Sequence, residues 1–172
     1  MLIFVEDIPR DGLDINEIFD VNPDDLVEKS RFLDPVSAEV RIIKSGDKIV
    51  VKGIVKTTIE LECTRCLSPY TEKINSSFDL VFFPEETTRF EEEIELNEDD
   101  LNTLYYKEGI IDIDRIIIDQ INLSIPFKPL CSEDCKGLCP VCGKNLNEGP
   151  CGCEVKKRDP RIDLIIENMR GK

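Results

Sequence analysis

From Val36 onward apolar and polar residues alternate. Val36, Ala38, Val40 and Ile42 are separated by Ser37, Glu39 and Arg41, the Ser45-Gly46-Asp47 segment breaks the run, and Ile49, Val51, Gly53, Val55, Thr57, Ile59 and Leu61 resume it. A period of two belongs to a strand with one buried face, so the pattern predicts a long antiparallel hairpin. A third strand is expected from Tyr70 through Ile74, Phe78, Leu80 and Phe82 to Pro84, which leaves Cys63-Thr64-Arg65-Cys66 in the connection. Nearer the start, Leu2 to Val5 reads as a short strand. Ile15, Ile18 and Phe19, after the Pro9-Arg10-Asp11-Gly12 turn, carry a short helical signal.

The period changes between Asp112 and Leu123. Ile113, Ile116, Ile117, Gln120 and Ile121 mark one face of a helix, Asp112 is a capping residue at its start, and Pro126 ends the run. That face is the natural cover for a half-buried sheet. A second helix is expected after Asp159-Pro160, with Ile162, Ile165, Ile166 and Met169 at helical spacing and Gly171 beyond them. Between sheet and first helix, Glu85 to Asp100 holds nine acidic residues opposed only by Arg89. Such self-repulsion predicts a mobile loop. The expected class is therefore α+β: an antiparallel meander, with a barrel-like closure as its alternative, covered by a helix and followed by a cysteine-rich appendage and a terminal helix. The divisions fall at 1–127, 128–155 and 156–172.

Charge separates these parts. Residues 1–127 carry 13 basic and 29 acidic side chains, a net of −16, whereas residues 128–172 carry 9 and 7, a net of +2. An anionic body repels phosphate backbones and attracts basic proteins. The Lys156, Lys157, Arg158 and Arg161 group is the candidate RNA contact, a small patch beside Asp159 and Asp163 with no aromatic residue among it to stack a base. No apolar stretch approaches the length of a membrane span, and Glu6 and Asp7 stand where a signal peptide would be basic, so a cytosolic protein is expected. The chain has no histidine. That excludes Ser-His and Cys-His nucleophile systems and leaves no imidazole ligand for a catalytic zinc. The many carboxylates form no paired motif that points to a magnesium hydrolase, so the chain reads as a binding factor and not as an enzyme.

Cysteine is the residue that carries chemistry. Of eight cysteines, six lie between Cys131 and Cys153. Thiols stay reduced in a cytosol, so such clustering favours a metal over disulfides. Cys139-Pro140-Val141-Cys142-Gly143 has the form of a zinc knuckle, because two intervening residues allow one turn to aim both sulfurs at one ion. A structural zinc takes four thiolates. Cys131, Cys135, Cys139 and Cys142 make the favoured set for one ion, with Cys151 and Cys153 as alternates that would pair with Cys139 and Cys142 across the Asn145 to Gly149 turn. An iron–sulfur cluster is the other chemistry such thiolates suit. Cys63 and Cys66 form a possible second thiol site, read as a redox pair, as two buried thiols, or as ligands that tie the sheet to the appendage.

Together, Glu62-Cys63-Thr64-Arg65-Cys66 after a long strand, the Ile-rich helix ending in Ser124-Ile125-Pro126, the Cys131 to Cys153 cluster and the closing Asp159-Pro160-Arg161 resemble the YceD family of large ribosomal RNA subunit accumulation proteins, over about residues 36–165. The resemblance implies a bacterial cytosolic protein with an α+β fold and no described catalytic activity, needed for accumulation of large-subunit (23S) ribosomal RNA. Two functions follow. One is a ribosome biogenesis factor that binds a basic ribosomal protein or precursor ribosomal RNA, with no membrane or small-molecule substrate. The other is a thiol redox or zinc-handling protein using Cys63 and Cys66.

Overall fold

The computed structural model describes residues 1–28, 30–85 and 103–154. The expected terminal helix, the basic group at Lys156, Lys157, Arg158 and Arg161, and the acidic run after Glu85 lie outside the described residues.

The alternating segments form β4 (Val36–Ser45), β5 (Lys48–Glu62) and β6 (Pro69–Pro84). All three pair antiparallel, with Ile42 opposite Val51 and Val51 opposite Leu80. Ser45 faces Lys48 across a two-residue turn in which Gly46 takes φ +65°, the left-handed conformation such hairpins require. Along β5, Ile49, Val51, Val55 and Ile59 are fully buried on one face while Lys48, Lys52 and Lys56 are exposed on the other. The exposed face neutralises its own charge through Arg41–Asp14, Lys52–Asp79 and Lys56–Glu39 pairs. Gly53 belongs to the buried face and leaves room for the Phe78 ring opposite. A Cβ there would meet Phe78 Cζ at 2.6 Å and the Glu39 carbonyl at 2.8 Å.

Two expectations need correction. The segment expected to be helical near Ile15 is β2 (Leu13–Phe19), antiparallel to β4 from Leu13 opposite Ile42 to Phe19 opposite Val36. A separation of four residues serves a strand as well as a helix, so Ile15 and Phe19 are both buried, while Ile18 points away and is 71% exposed. Closure to a barrel also fails. Among the described residues the six-stranded sheet runs β2-β4-β5-β6-β7, with β7 (Thr103–Tyr106) parallel to β6 and β3 (Arg31–Phe32) beside the end of β5, and β2 and β7, at its two margins, do not pair with each other. The sheet is open.

Its buried face is covered by α1 (Ile113–Ser124), which packs on β5 and β6. Asp112 caps this helix by accepting a hydrogen bond from the Arg115 amide at 3.3 Å. The face expected from the sequence is the buried one, with Ile113, Ile117 and Ile121 wholly inside. Directly before the helix, β8 (Ile110–Asp112) pairs antiparallel with β1 (Leu2–Phe4) to make a separate two-stranded ribbon. Residues of both sheets and the helix join one hydrophobic core, mostly aliphatic with Phe19, Phe78 and Phe82. The cysteines stand at one end of it, where β5 turns into β6.

Candidate metal centre

The β5–β6 connection is a tight knuckle. The Cys63 amide donates to the Ser68 carbonyl at 3.0 Å and the Leu67 amide to the Cys63 carbonyl at 2.8 Å, with Leu67 at φ +58° as the chain reverses. Both thiols are turned inward, Cys63 completely. The segment after Pro129 is stitched onto this knuckle. The Thr64 amide and hydroxyl both donate to the Pro129 carbonyl, the Leu138 amide donates to the Arg65 carbonyl, and the Arg65 guanidinium donates to the carbonyls of Glu133 and Cys135 at 3.1 and 3.0 Å. Gly137, at φ +72°, permits this approach, since a Cβ would lie 3.0 Å from the Arg65 carbonyl oxygen.

These contacts bring Cys63, Cys66, Cys131 and Cys135 together, their sulfurs all within 4.8 Å of one another. Cys63 and Cys135 sulfurs are 3.7 Å apart, as are those of Cys66 and Cys131. A disulfide needs about 2.05 Å, whereas a tetrahedral ion holding sulfur at ~2.3 Å spaces its ligands by about 3.8 Å. Both separations match that spacing, and four sulfurs so placed could hold one ion. Tyr70, Leu130 and Leu138 pack around it.

Beyond Gly137 the chain forms a second knuckle. The Cys139 amide donates to the Lys144 carbonyl and the Gly143 amide to the Cys139 carbonyl, both at 2.8 Å, and Gly143 takes φ +73°. Cys139, Cys142, Cys151 and Cys153 make another quartet within the same 4.8 Å limit. Asn147 reaches between the two, accepting from the Lys136 amide at 2.8 Å and donating to the Cys135 sulfur at 3.3 Å.

In each quartet at least one thiol is held down and another is pushed up. Burial would raise Cys63, but backbone amides of Cys131, Cys66 and Arg65 outweigh it and lower the thiol to about 6. Cys131 is pushed up to about 12, chiefly by its hydrogen bond with Cys135, then by burial and by Cys66. In the second quartet the amides of Cys142 and Val141 lower Cys139 to about 6, and hydrogen bonds with Cys142 and Cys151 push Cys153 up to about 12. The Asn147 amide lowers Cys135. Packed sulfurs cannot all ionise against one another, and a divalent cation supplies the charge that lets all four do so. Either quartet could hold a metal ion.

The sequence-based grouping of Cys131, Cys135, Cys139 and Cys142 is thus divided by the structure. Cys131 and Cys135 join Cys63 and Cys66 from the sheet, and Cys139 and Cys142 join the alternates Cys151 and Cys153. Where one ion was expected, the geometry offers two places. The sequence did contain a signal: eight cysteines in four close pairs are twice the number one tetrahedral ion takes. Among the described residues no helix is long and apolar enough to cross a membrane.

Known proteins bear on this arrangement. Residues 51–164, which contain both quartets, match the family described as large ribosomal RNA subunit accumulation protein YceD. An uncharacterized protein of Mycobacterium tuberculosis is 33% identical over 132 residues, 76% of this chain and 60% of the relative. Large ribosomal RNA subunit accumulation protein YCED homolog 1, chloroplastic, of Arabidopsis thaliana is 32% identical over 146 residues, 73% of this chain and 46% of the relative. The Zea mays protein of the same name is 30% identical over 145 residues, with 71% and 50% covered. The chain therefore spans about three-fifths of the mycobacterial relative and about half of the plant ones. No solved structure matches. With both cysteine quartets inside the matched region and relatives of this identity over most of its length, the chain belongs to the YceD family.

Proposed function

We propose that this protein is a non-enzymatic ribosome biogenesis factor that supports accumulation of large-subunit ribosomal RNA. The observation that carries the reading is membership of a family named for that role, with two plant relatives bearing the same name. The partner is a basic large-subunit ribosomal protein held by the acidic body. The net charge of −14 favours such a partner over naked RNA, and the paired lysines and arginines of the outer sheet face leave the excess negative. The quartets hold zinc, which suits four thiolates without redox chemistry, and the metal among Cys63, Cys66, Cys131 and Cys135 fastens the downstream segment to the sheet.

Depletion of the protein in its own cells tests the role directly. The ratio of mature large-subunit to small-subunit ribosomal RNA is expected to fall and to recover on re-expression; an unchanged ratio removes the assignment. The partner is tested by affinity purification at about 0.1 M salt, where exposed charges still act over roughly 10 Å. A basic ribosomal protein should remain bound after nuclease treatment, and recovery that vanishes with nuclease would transfer the contact to RNA.

The redox reading of Cys63 and Cys66 has less support. Their sulfurs face Cys135 and Cys131 within a closed quartet, and Cys63 is fully buried. A reactive pair needs access as well as a lowered thiol.

A further inference from the structure

We infer that Cys139, Cys142, Cys151 and Cys153 form a second zinc site whose ion exchanges on its own, while the ion held by Cys63, Cys66, Cys131 and Cys135 stays in place. The inference rests on the reading that these thiols bind metal, and goes beyond it by assigning the two sites different work.

The two quartets differ first in access. Three of the four sulfur-bearing residues at the sheet junction are buried, with Cys131 alone exposed. In the distal quartet only Cys139 is buried; Cys142 is exposed and Cys151 and Cys153 are half-exposed. An incoming thiol or chelator must reach the ion or its sulfurs to displace them, and the shell around a site controls that approach. Tyr70, Leu130 and Leu138 form such a shell at the junction.

They differ also in what must open. The junction quartet joins residues 72 positions apart, from Cys63 to Cys135, and freeing its ligands means breaking the bonds that Thr64 and Arg65 make to Pro129, Glu133 and Cys135. The distal ligands all lie between Cys139 and Cys153, and Gly143, Gly149 and Gly152 there have no neighbouring atoms within 4 Å of where a Cβ would stand. The loop is tied to the junction by Asn145, which donates to the Ser68 hydroxyl, and by Asn147, which bonds Lys136 and Cys135, yet none of its four cysteines belongs to the sheet or to its core. Local openings of this kind cost far less than global unfolding.

Zinc release separates the possibilities. Native mass spectrometry of the full chain, purified without chelator, should find two zinc ions. Addition of excess 4-(2-pyridylazo)resorcinol should release them in two phases, the first at least about 10-fold faster than the second. Alkylation of the half-emptied protein with iodoacetamide should mark Cys142, Cys151 and Cys153 and spare Cys63 and Cys66. Cys142→Ser should lose the fast equivalent and keep the slow one. Release of both ions in one phase, a fast phase that survives Cys142→Ser, or alkylation beginning at Cys63 and Cys66 overturns the division of work. A single zinc that is retained in Cys142→Ser overturns the distal site alone, and protein that carries no metal overturns the metal reading beneath it. The alkylation pattern is read on unmodified sequence, so it decides the matter even where Cys142→Ser fails to fold.

Discussion

The sheet-and-helix body and the segment from Pro129 to Glu154 are held together by different physics. In the body, Ile42, Ile49, Val51, Val55 and Ile59 from the strands meet Ile113, Ile117 and Ile121 from the helix, all fully buried. Each buried aliphatic side chain of that kind is worth roughly 1.5–3 kcal/mol. Across residues 129–154 the buried positions are Pro129, Cys135, Gly137 and Cys139, with no large aliphatic side chain among them. Backbone bonds and sulfur have to do there what methyl groups do in the sheet. A segment of that composition takes its shape from the surface it is stitched to and, on the proposed reading, from a cation, which would make its order depend on chemical conditions that leave the body unaffected.

The sharpest way to break this contrast is to remove a ligand that belongs to both regions. Cys66→Ser takes one thiolate from the junction quartet, where structural zinc sites are worth roughly 10–16 kcal/mol in apparent binding energy. Hydrogen exchange should show loss of protection across residues 129–138 with β4, β5 and α1 still protected, and zinc content should fall by one equivalent. Collapse of protection throughout the sheet would mean that the two regions are one cooperative unit. Next in size is Ile117→Ala, which opens a cavity between helix and sheet and should cost about 2–5 kcal/mol. Denaturant titration should show the lowered midpoint, and the zinc content of the still-folded protein should not change.

Gly53→Val is expected to cost about 1–3 kcal/mol by overpacking against Phe78, because even the first added carbon would sit 2.6 Å from the ring. A companion Phe78→Ala change should recover part of that loss in a double-mutant cycle, and additivity of the two would dismiss the proposed contact. The smallest effect belongs to Asp112→Ala. Losing the cap of α1 should lower stability by about 0.5–2 kcal/mol, visible as a small fall in melting temperature, while Asp112→Asn should restore most of it.

Legibility follows the same contrast. The alternation through Val36–Ser45 and Lys48–Glu62 and the Ile113 to Ile121 stripe were readable because each side chain's burial is set by the period of its own element. Ile15 and Phe19 misled for that very reason, since a spacing of four satisfies both periods and only the pairing of β2 with β4 decides between them. The short strands β7 and β8 carry too few residues to show any period, and each exists through its partner, β6 or β1.

For the candidate site, the sequence by itself determined that thiols are the candidate ligands, that histidine plays no part, and that Cys139 and Cys142 lie close enough to share one turn. Those are properties of residue type and near spacing. Which thiols meet across the fold was decided only in three dimensions, when the β5–β6 turn carried Cys63 and Cys66 to Cys131 and Cys135. Local spacing constrains a turn, but thiols 72 residues apart meet only because the pairing of β5 with β6 sets the position of one and the docking of the following segment sets the position of the other.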